Sequence, residues 1–359
     1  MPSLKTQVEL LFGGRCKRPP QGVHFAPGRA VLLGSHLESQ GGAVLAAPLA
    51  LGVACAWGIR PDSRVVVWSM NARQKDSFHH DRIFKCGRSW SDLARGACAH
   101  VAQGGRRMPG IDLMVLGDLP IGEGLASSAA YLTVLLRSLY DAVDGYRSRW
   151  ELAEDIPQIE REWLGRASGR VDPYTVAAAK PGDALLHVDA RELDHERLPL
   201  APGFHVDAEE SGVTRPADAT GATQRLRELA IALEEARSAR PSLASLCDLD
   251  AEGLAEIEGS LGATSRLRAR YLVGESERVR HATTALAATA PDAGTMATLG
   301  RLMLASHRSL ATELDVSTPE IDSLIDLALT KPSILGARLQ GDGWGGRVAV
   351  LQKDAGSVA

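Results

Sequence analysis

GDLPIGEGLASSAAYLTVLLRSLYDAVDG, residues 117–145, runs from a Gly/Pro turn through two serines into a long apolar stretch. The glycines permit a tight loop, Ser127 and Ser128 suit a helix N-terminus, and Gly145 stops the apolar run. That run is apolar on most of its circumference, which predicts a helix buried between layers. Leu113–Leu116, just ahead of it, reads as a short strand. Strand, glycine turn and helix start together have the logic of an anion cradle, in which backbone N–H groups crowd the ligand and the helix adds its unpaired donors and positive dipole end. A tight loop feeding a buried helix is an equally good reading of this stretch by itself. The lysine of a G-x-x-x-x-G-K-[ST] loop is absent, so phosphate charge here would have to be met by backbone dipoles, a metal and an arginine from elsewhere.

Upstream, GRAVLLGSHLESQGG (28–42) sets Arg29, His36 and Glu38 around an apolar run, Ala30–Leu33, that reads as a buried strand. Charged groups at a strand end usually face a cleft, where the sheet can aim them. Downstream, LGARLQGDGWGGRVAVL (335–351) reads as strand, glycine-dense turn and strand. Arg64–Ser69 and Ala184–Val188 read as further strands. Residues 149–164 read as a helix ended by Gly165, with Pro157 acceptable only at a first turn or a kink. Thr223 to His307, rich in Ala, Leu, Glu and Arg at helical spacing, predicts several amphipathic helices. Gly41–Ile59 carries no charge and approaches the length of a membrane span, but Pro48, Gly52 and its Ala content favour two buried strands joined by a turn.

A length of 359 residues favours two domains. The formal net charge of −4 argues against a general nucleic-acid binder. Five scattered cysteines without a C-x-x-C pair argue against a disulfide framework or zinc site and fit a reducing cytoplasm. The N-terminus lacks the pattern of a secretory signal, and His79 and His80 read as loop residues with no third ligand at metal-binding spacing.

GRAVLLGSHLESQGG, PIGEGLASSAA and GARLQGDGWGG resemble, in sequence and in chain order, the three motifs of the GHMP kinases. The first motif and GRVDPYTVAAAKPGDALLHVDARELDHERL (169–198) point to the sugar-kinase branch, and LGSHLESQGG with the ELDHE run looks most like galacturonokinase. The resemblance spans about Phe25 to Leu351. It implies a two-domain α+β GHMP kinase fold with the active site in the interdomain cleft. The N-terminal domain is expected over residues 1–200 and the C-terminal domain over 201–359. The implied activity is ATP-dependent phosphorylation of a sugar at its anomeric hydroxyl, with Mg²⁺, in a cytoplasmic enzyme, monomer or homodimer, that engages neither nucleic acid nor membrane.

The resemblance also implies site residues. Asp172 and Arg29 match the family's Asp and Arg beside the attacking hydroxyl. A carboxylate near a guanidinium stays ionised and can accept the hydroxyl proton, while the arginine offsets charge developing in transfer. A structural ion pair at a domain seam is the bland alternative. Gly122, Gly124, Leu125, Ala126, Ser127 and Ser128 are implied to line the triphosphate, with Ser128 and Glu160 binding Mg²⁺. For Glu160, within IEREW, the alternative is a solvated helix face, and Glu162 two positions on must point elsewhere. Ser35, His36, Glu38, Gly42, Asp172 and Gly343 are implied to contact the sugar.

Galactokinases usually read G-E-H-T-D-Y in the first motif, where this chain has Gly34, Ser35, His36, Leu37, Glu38 and Ser39. The tyrosine that packs on the sugar has no counterpart near Ala222 and Thr223, and the family's Asp-Gln pair is Asp172–Pro173. Together these changes remove bulk from the sugar pocket and alter hydroxyl recognition. The expected substrate is therefore galactose-related but not galactose: galacturonate-like, or larger or modified, such as an octose phosphate of secondary metabolism. An acidic substrate would need a cation, for which Arg15, Lys17, Arg18 and Arg215 are candidates, each with a solvated surface role as the alternative. The competing expectation is a catalytically silent galactokinase-like regulator that binds sugar and ATP.

Overall fold

The computed structural model describes residues 2–180, 183–216, 220–288 and 290–354, so Pro181 and Gly182 of the 169–198 segment lie outside the described residues. The chain forms two compact units that interleave in sequence: Met1–Gly28, Leu49–Ile121 and Ala126–Ala179 make the first, and Arg29–Pro48, Gly122–Leu125 and Lys180–Ala359 the second. The expected division at residue 200 cuts the chain once, whereas the spatial partition crosses it several times.

The first unit holds α1 (Leu4–Cys16), most of β1 (Gly22–Leu33) and β2 (Val44–Arg60), then β3 (Arg64–Ser69), β4 (Gln74–His79), α2 (Ser89–Gln103), β5 (Gly110–Gly117), α3 (Ser127–Ala142), α4 (Arg149–Leu164) and α5 (Val171–Ala178). β5 pairs antiparallel with Val53–Arg60 of β2 and parallel with β3, and β3 pairs antiparallel with β4. Alternation along β5 divides the core. Leu113 and Val115 join Leu132, Leu136, Ile156 and Ile159 from α3 and α4, while Met114 faces Val8 and Phe12 of α1. The predicted burial of α3 follows from this layer, with Leu132, Leu135, Leu136 and Leu139 fully buried.

One expectation needs correction. Gly41–Ile59 is not two strands and a turn; β2 runs as one 17-residue strand. Its partner changes midway, from β6 at Val44–Ala46 to β5 at Val53–Arg60, so Pro48 falls between these two registers. Gly52 remains in the strand because a Cβ there would meet the Phe25 ring, and its N–H donates to Asp118 at 2.7 Å. Of the two places open to Pro157, a first turn or a kink, the structure rules out the first: Pro157 lies inside α4. The lost backbone bond is outweighed by burial of Leu152, Ile156 and Ile159, and a Ser148/Glu151 capping box and left-handed Gly165 fix the helix ends.

The second unit contains β6 (Leu185–Asp189), β7 (Asp194–Leu198), β8 (Phe204–Glu210), α6 (Thr220–Ala239), α7 (Ala251–Ile257), α8 (Ala263–Ala288), α9 (Ala293–Ser309), α10 (Pro319–Ala328), β9 (Ile334–Leu339) and β10 (Arg347–Lys353). β6 pairs with the first residues of β2 and with β7. β8, β10 and β9 form an antiparallel sheet in that order. Ile321 and Ile325 of α10 pack on Ala337, Val348 and Val350 of this sheet. α9 approaches β9 so closely that a Cβ on Gly336 would meet the Gly300 backbone at 2.5 Å. The predicted helices between Thr223 and His307 are α6 to α9, and the predicted closing strand-turn-strand is β9 and β10. Among the described residues no helix is long and apolar enough to cross a membrane.

Candidate active site

In the second unit the glycine loop Gly122–Leu125 is fastened by arginines. Gly122 and Gly124 have φ of 78° and 86°, a region open to glycine at little cost. A Cβ on Gly124 would meet Gly341 N at 2.8 Å, so the turn of the third motif abuts the loop backbone to backbone. Arg29, on β1 and 6% exposed, donates its guanidinium to the Gly124 carbonyl, and its backbone N–H to Leu125 O at 3.2 Å. Arg215 donates to Gly122 O at 3.2 Å and pairs with Asp342 at 2.9 Å. Arg347 pairs with the Glu123 carboxylate. Gly343, with φ 110°, sits where a Cβ would meet the Val316 carbonyl oxygen at 2.5 Å.

In the first unit Ala126 takes left-handed φ/ψ of 60° and 34° and starts α3 without a side-chain cap. Ser127 and Ser128 are therefore the first helical residues, in the turn whose N–H groups have no intrahelical acceptor. The Ser128 hydroxyl donates to Glu160 on α4. Glu160 is buried at 6% exposure, so it is no solvated face, whereas Glu162 is exposed and bonds Gln158 at 2.9 Å. A hard carboxylate and hydroxyl side by side suit Mg²⁺, which keeps several waters and needs few protein ligands. Among the described residues no cluster of three or more His, Cys, Asp or Glu could hold a metal alone. Asp172 is half-buried at the second position of α5. Its neighbour Tyr174 is fully buried and accepts from Arg149 at 3.0 Å.

The first-motif turn rests on a polar network that the sequence did not announce. Arg338 of β9, fully buried, donates to Ser35 Oγ at 2.8 Å and Val31 O at 3.2 Å. Glu275 of α8, also fully buried, accepts from Gly34 N–H and Ser306 Oγ, each at 2.7 Å, and pairs with Arg278 at 2.7 Å. Tyr271 donates to Ser35 O at 2.7 Å. Burial pushes the Glu275 carboxyl up, but Arg338, Arg278 and the Gly34 N–H outweigh it and leave the group below the ordinary glutamate value. Burial lowers Arg338 and raises the Tyr271 phenol.

His36 holds a left-handed φ of 64°, and its Nε2 is buried without a hydrogen-bond partner among the described residues. Burial draws its imidazole below the ordinary histidine value. Glu38 is half-buried in the short 3-10 turn Leu37–Gln40. Gly42 is a packing position, since a Cβ would meet Leu37 at 2.7 Å and Cys247 Sγ at 2.9 Å. The structure thus gathers Arg29 with Gly124 and Leu125, Arg215 with Gly122, Ser128 with Glu160, and Ser35 and His36 with Tyr271.

Thr220, Thr223, Gln224 and Arg227 lie exposed on one face of α6, with the Gln224 amide donating to Glu228 at 2.9 Å. The helix is seated on the third motif at Gly221, where a Cβ would meet the Trp344 ring at 2.9 Å. Of the other candidate cations, Arg18 is engaged with Asp112 at 2.9 Å and Arg15 lies over the Trp68 ring at 5.0 Å. Lys17 is the left-handed cap of α1.

Sequence models of known families match three segments. The galactokinase galactose-binding signature matches residues 11–59, the GHMP kinases N terminal domain 92–180, and the GHMP kinases C terminal model 284–359. The galactokinase of Roseiflexus sp. (strain RS-1) is 32% identical over 330 residues, covering 91% of this chain and 82% of that protein. That of Chloroflexus aggregans is 33% identical over 338 residues, 93% of this chain and 84% of the relative. Among solved structures, Lactococcus lactis galactokinase complexed with galactose is similar with a TM-score of 0.86 and 26% identity, over 97% of this chain and 90% of that one.

Proposed function

The chain belongs to the galactokinase family of GHMP kinases and is an ATP-dependent sugar kinase, and from that premise we propose that it phosphorylates the anomeric hydroxyl of a galactose-related sugar that is acidic or larger than galactose. A galacturonate-like acid and a longer modified sugar such as an octose phosphate are the substrate types that fit. The observation that carries the reading is Ser35. It stands where galactokinases place a glutamate, and its hydroxyl is taken by buried Arg338, so one carboxylate for sugar hydroxyls is gone. The α6 face supports it: exposed Thr220, Thr223 and Arg227 stand near the position that lacks the family's tyrosine, donors suited to an anion.

In the proposed mechanism Gly122, Gly124, Leu125, Ala126, Ser127 and Ser128 receive the triphosphate on backbone donors. Ser128 and Glu160 would hold Mg²⁺, which when bound neutralises phosphate charge. Asp172 accepts the proton of the attacking hydroxyl, and Arg29 offsets the charge that develops in transfer. Phosphoryl transfer asks mainly for positioning and electrostatics, so these groups are sufficient. Ser35, His36, Glu38, Gly42 and Gly343 are assigned to the sugar side, where the His36 Nε2, without a hydrogen-bond partner among the described residues, is offered to a sugar hydroxyl. Incubation with MgATP and a panel of galactose, uronic acids and long-chain sugar phosphates, read by phosphorus NMR, tests the proposal. An anomeric phosphate on an acidic or long-chain sugar is expected. Preference for galactose, or phosphate only on a non-anomeric oxygen, contradicts it, and ATP binding without transfer to any sugar would favour a silent regulator.

A further inference from the structure

The glycine loop carries a carboxylate of its own. Glu123 lies between Gly122 and Gly124, where a negative charge opposes the binding of a triphosphate. Its partner is Arg347, the first residue of β10, whose Nε meets the Glu123 carboxylate. The same guanidinium reaches Glu210 of β8 at 2.7 Å and the Ala208 carbonyl at 3.5 Å. Arg347 also donates its backbone N–H to Glu123 O at 3.1 Å. A Cβ on neighbouring Gly346 would meet that oxygen at 2.8 Å, so loop and strand are in backbone contact. The Arg347 side chain is 15% exposed and that of Glu123 38%, so solvent and salt screen the pair from the Glu123 side. Arg215 and Arg29 hold the carbonyls on either side, so Glu123 is tied down at its centre by Arg347.

We propose that Arg347 is a positioning residue for nucleotide binding: it neutralises Glu123 and ties it to β10, keeping a loop that carries its own negative charge able to accept a triphosphate. The inference rests on the reading of residues 122–128 as the triphosphate loop. Glu123 is tolerated in the loop because Arg347 compensates it, and losing the arginine alone leaves a carboxylate beside the phosphates. Losing both restores a neutral loop.

The full-length protein is titrated with MgATP by calorimetry at low and high NaCl, as wild type, Arg347→Gln, Glu123→Gln and the double variant. Arg347→Gln is expected to weaken MgATP binding about tenfold at low salt and less at high salt. Glu123→Gln should bind as tightly as wild type or tighter, and the double variant should return to within about threefold of wild type. Wild-type affinity in Arg347→Gln overturns the proposal. So does a double variant as weak as Arg347→Gln, which would mean that the arginine acts independently of Glu123. If Arg347→Gln does not fold, Glu123→Gln decides, because a tenfold loss in that variant is incompatible with a compensated charge. A wild-type protein that binds no MgATP would instead refute the reading of the loop from which the inference starts.

Discussion

Glu275→Ala is the perturbation whose cost can be worked furthest from the structure. The carboxylate is fully buried, faces the positive charges of Arg338 and Arg278, and accepts hydrogen bonds from Gly34 N–H and Ser306 Oγ. Arg278 is partly exposed and can turn to water, but Arg338 has no exposed surface. Removing one member of a buried ion pair costs about 3–5 kcal/mol, because the other charge stays behind uncompensated. Each orphaned donor adds about 1–3 kcal/mol, less than additively for groups this close. A loss of about 4 kcal/mol or more follows, a large share of the roughly 5–15 kcal/mol that holds a typical protein folded. At about 2–4 °C per kcal/mol for a unit of roughly two hundred residues, the melting temperature should fall by about 8–16 °C. Scanning calorimetry and urea titration at pH 7.5 measure it. Glu275→Gln, which keeps an acceptor but not the charge, should lie between, and Glu275→Leu with Arg338→Met should cost less than the two single losses summed. Because the folded-state pKa is depressed, the stabilisation is present above the ordinary glutamate value and lost as pH falls through the folded value. The gap to Glu275→Ala should therefore narrow only below about pH 4. A melting temperature within about 2 °C of wild type at pH 7.5 would refute the reasoning.

Asp172→Asn should abolish sugar phosphorylation while leaving MgATP affinity within about threefold of wild type, since it removes the proposed base and not the loop; normal turnover removes Asp172 from that role. Glu160→Gln should raise the Mg²⁺ concentration needed for half-maximal activity about tenfold or more, with Ser128→Ala in the same direction; an unchanged Mg²⁺ titration counts against both as ligands. His36, His187 and His307 have pKa values lowered by burial, so the unfolded chain binds more protons than the folded one below the ordinary histidine value. Their contribution is complete above about pH 6.5 and is lost as pH falls, so the melting temperature should drop between pH 7.5 and 5.5; a rise would contradict the assignment. Gly300→Ala places a methyl against the Leu335 carbonyl and should cost about 1–3 kcal/mol by overpacking, measured by urea titration; a neutral result would show that α9 can draw back from β9.

Sequence alone settled what depends on neighbours in the chain. RVVVWS is a strand, 149–164 is a helix ended by a left-handed glycine, and the run after Ser127 and Ser128 is a buried helix, because β-branching, caps and an all-round apolar surface act over a few residues. The family was legible only as a resemblance, carried by three motifs in one chain order. What tertiary structure alone decided are pairings across the chain. β2 is one strand because β6 and β5 take its two ends. Pro157 sits inside a helix because packing outweighs propensity. Asp172 is on a short helix, α5, that no local pattern marked. Glu275 looked like one more acid on an amphipathic helix, and Arg338 like an ordinary strand residue. Both are buried beneath the Ser35 turn because α8 and β9 are brought there by the fold, and burial is the one property of a charge that a one-dimensional pattern cannot report.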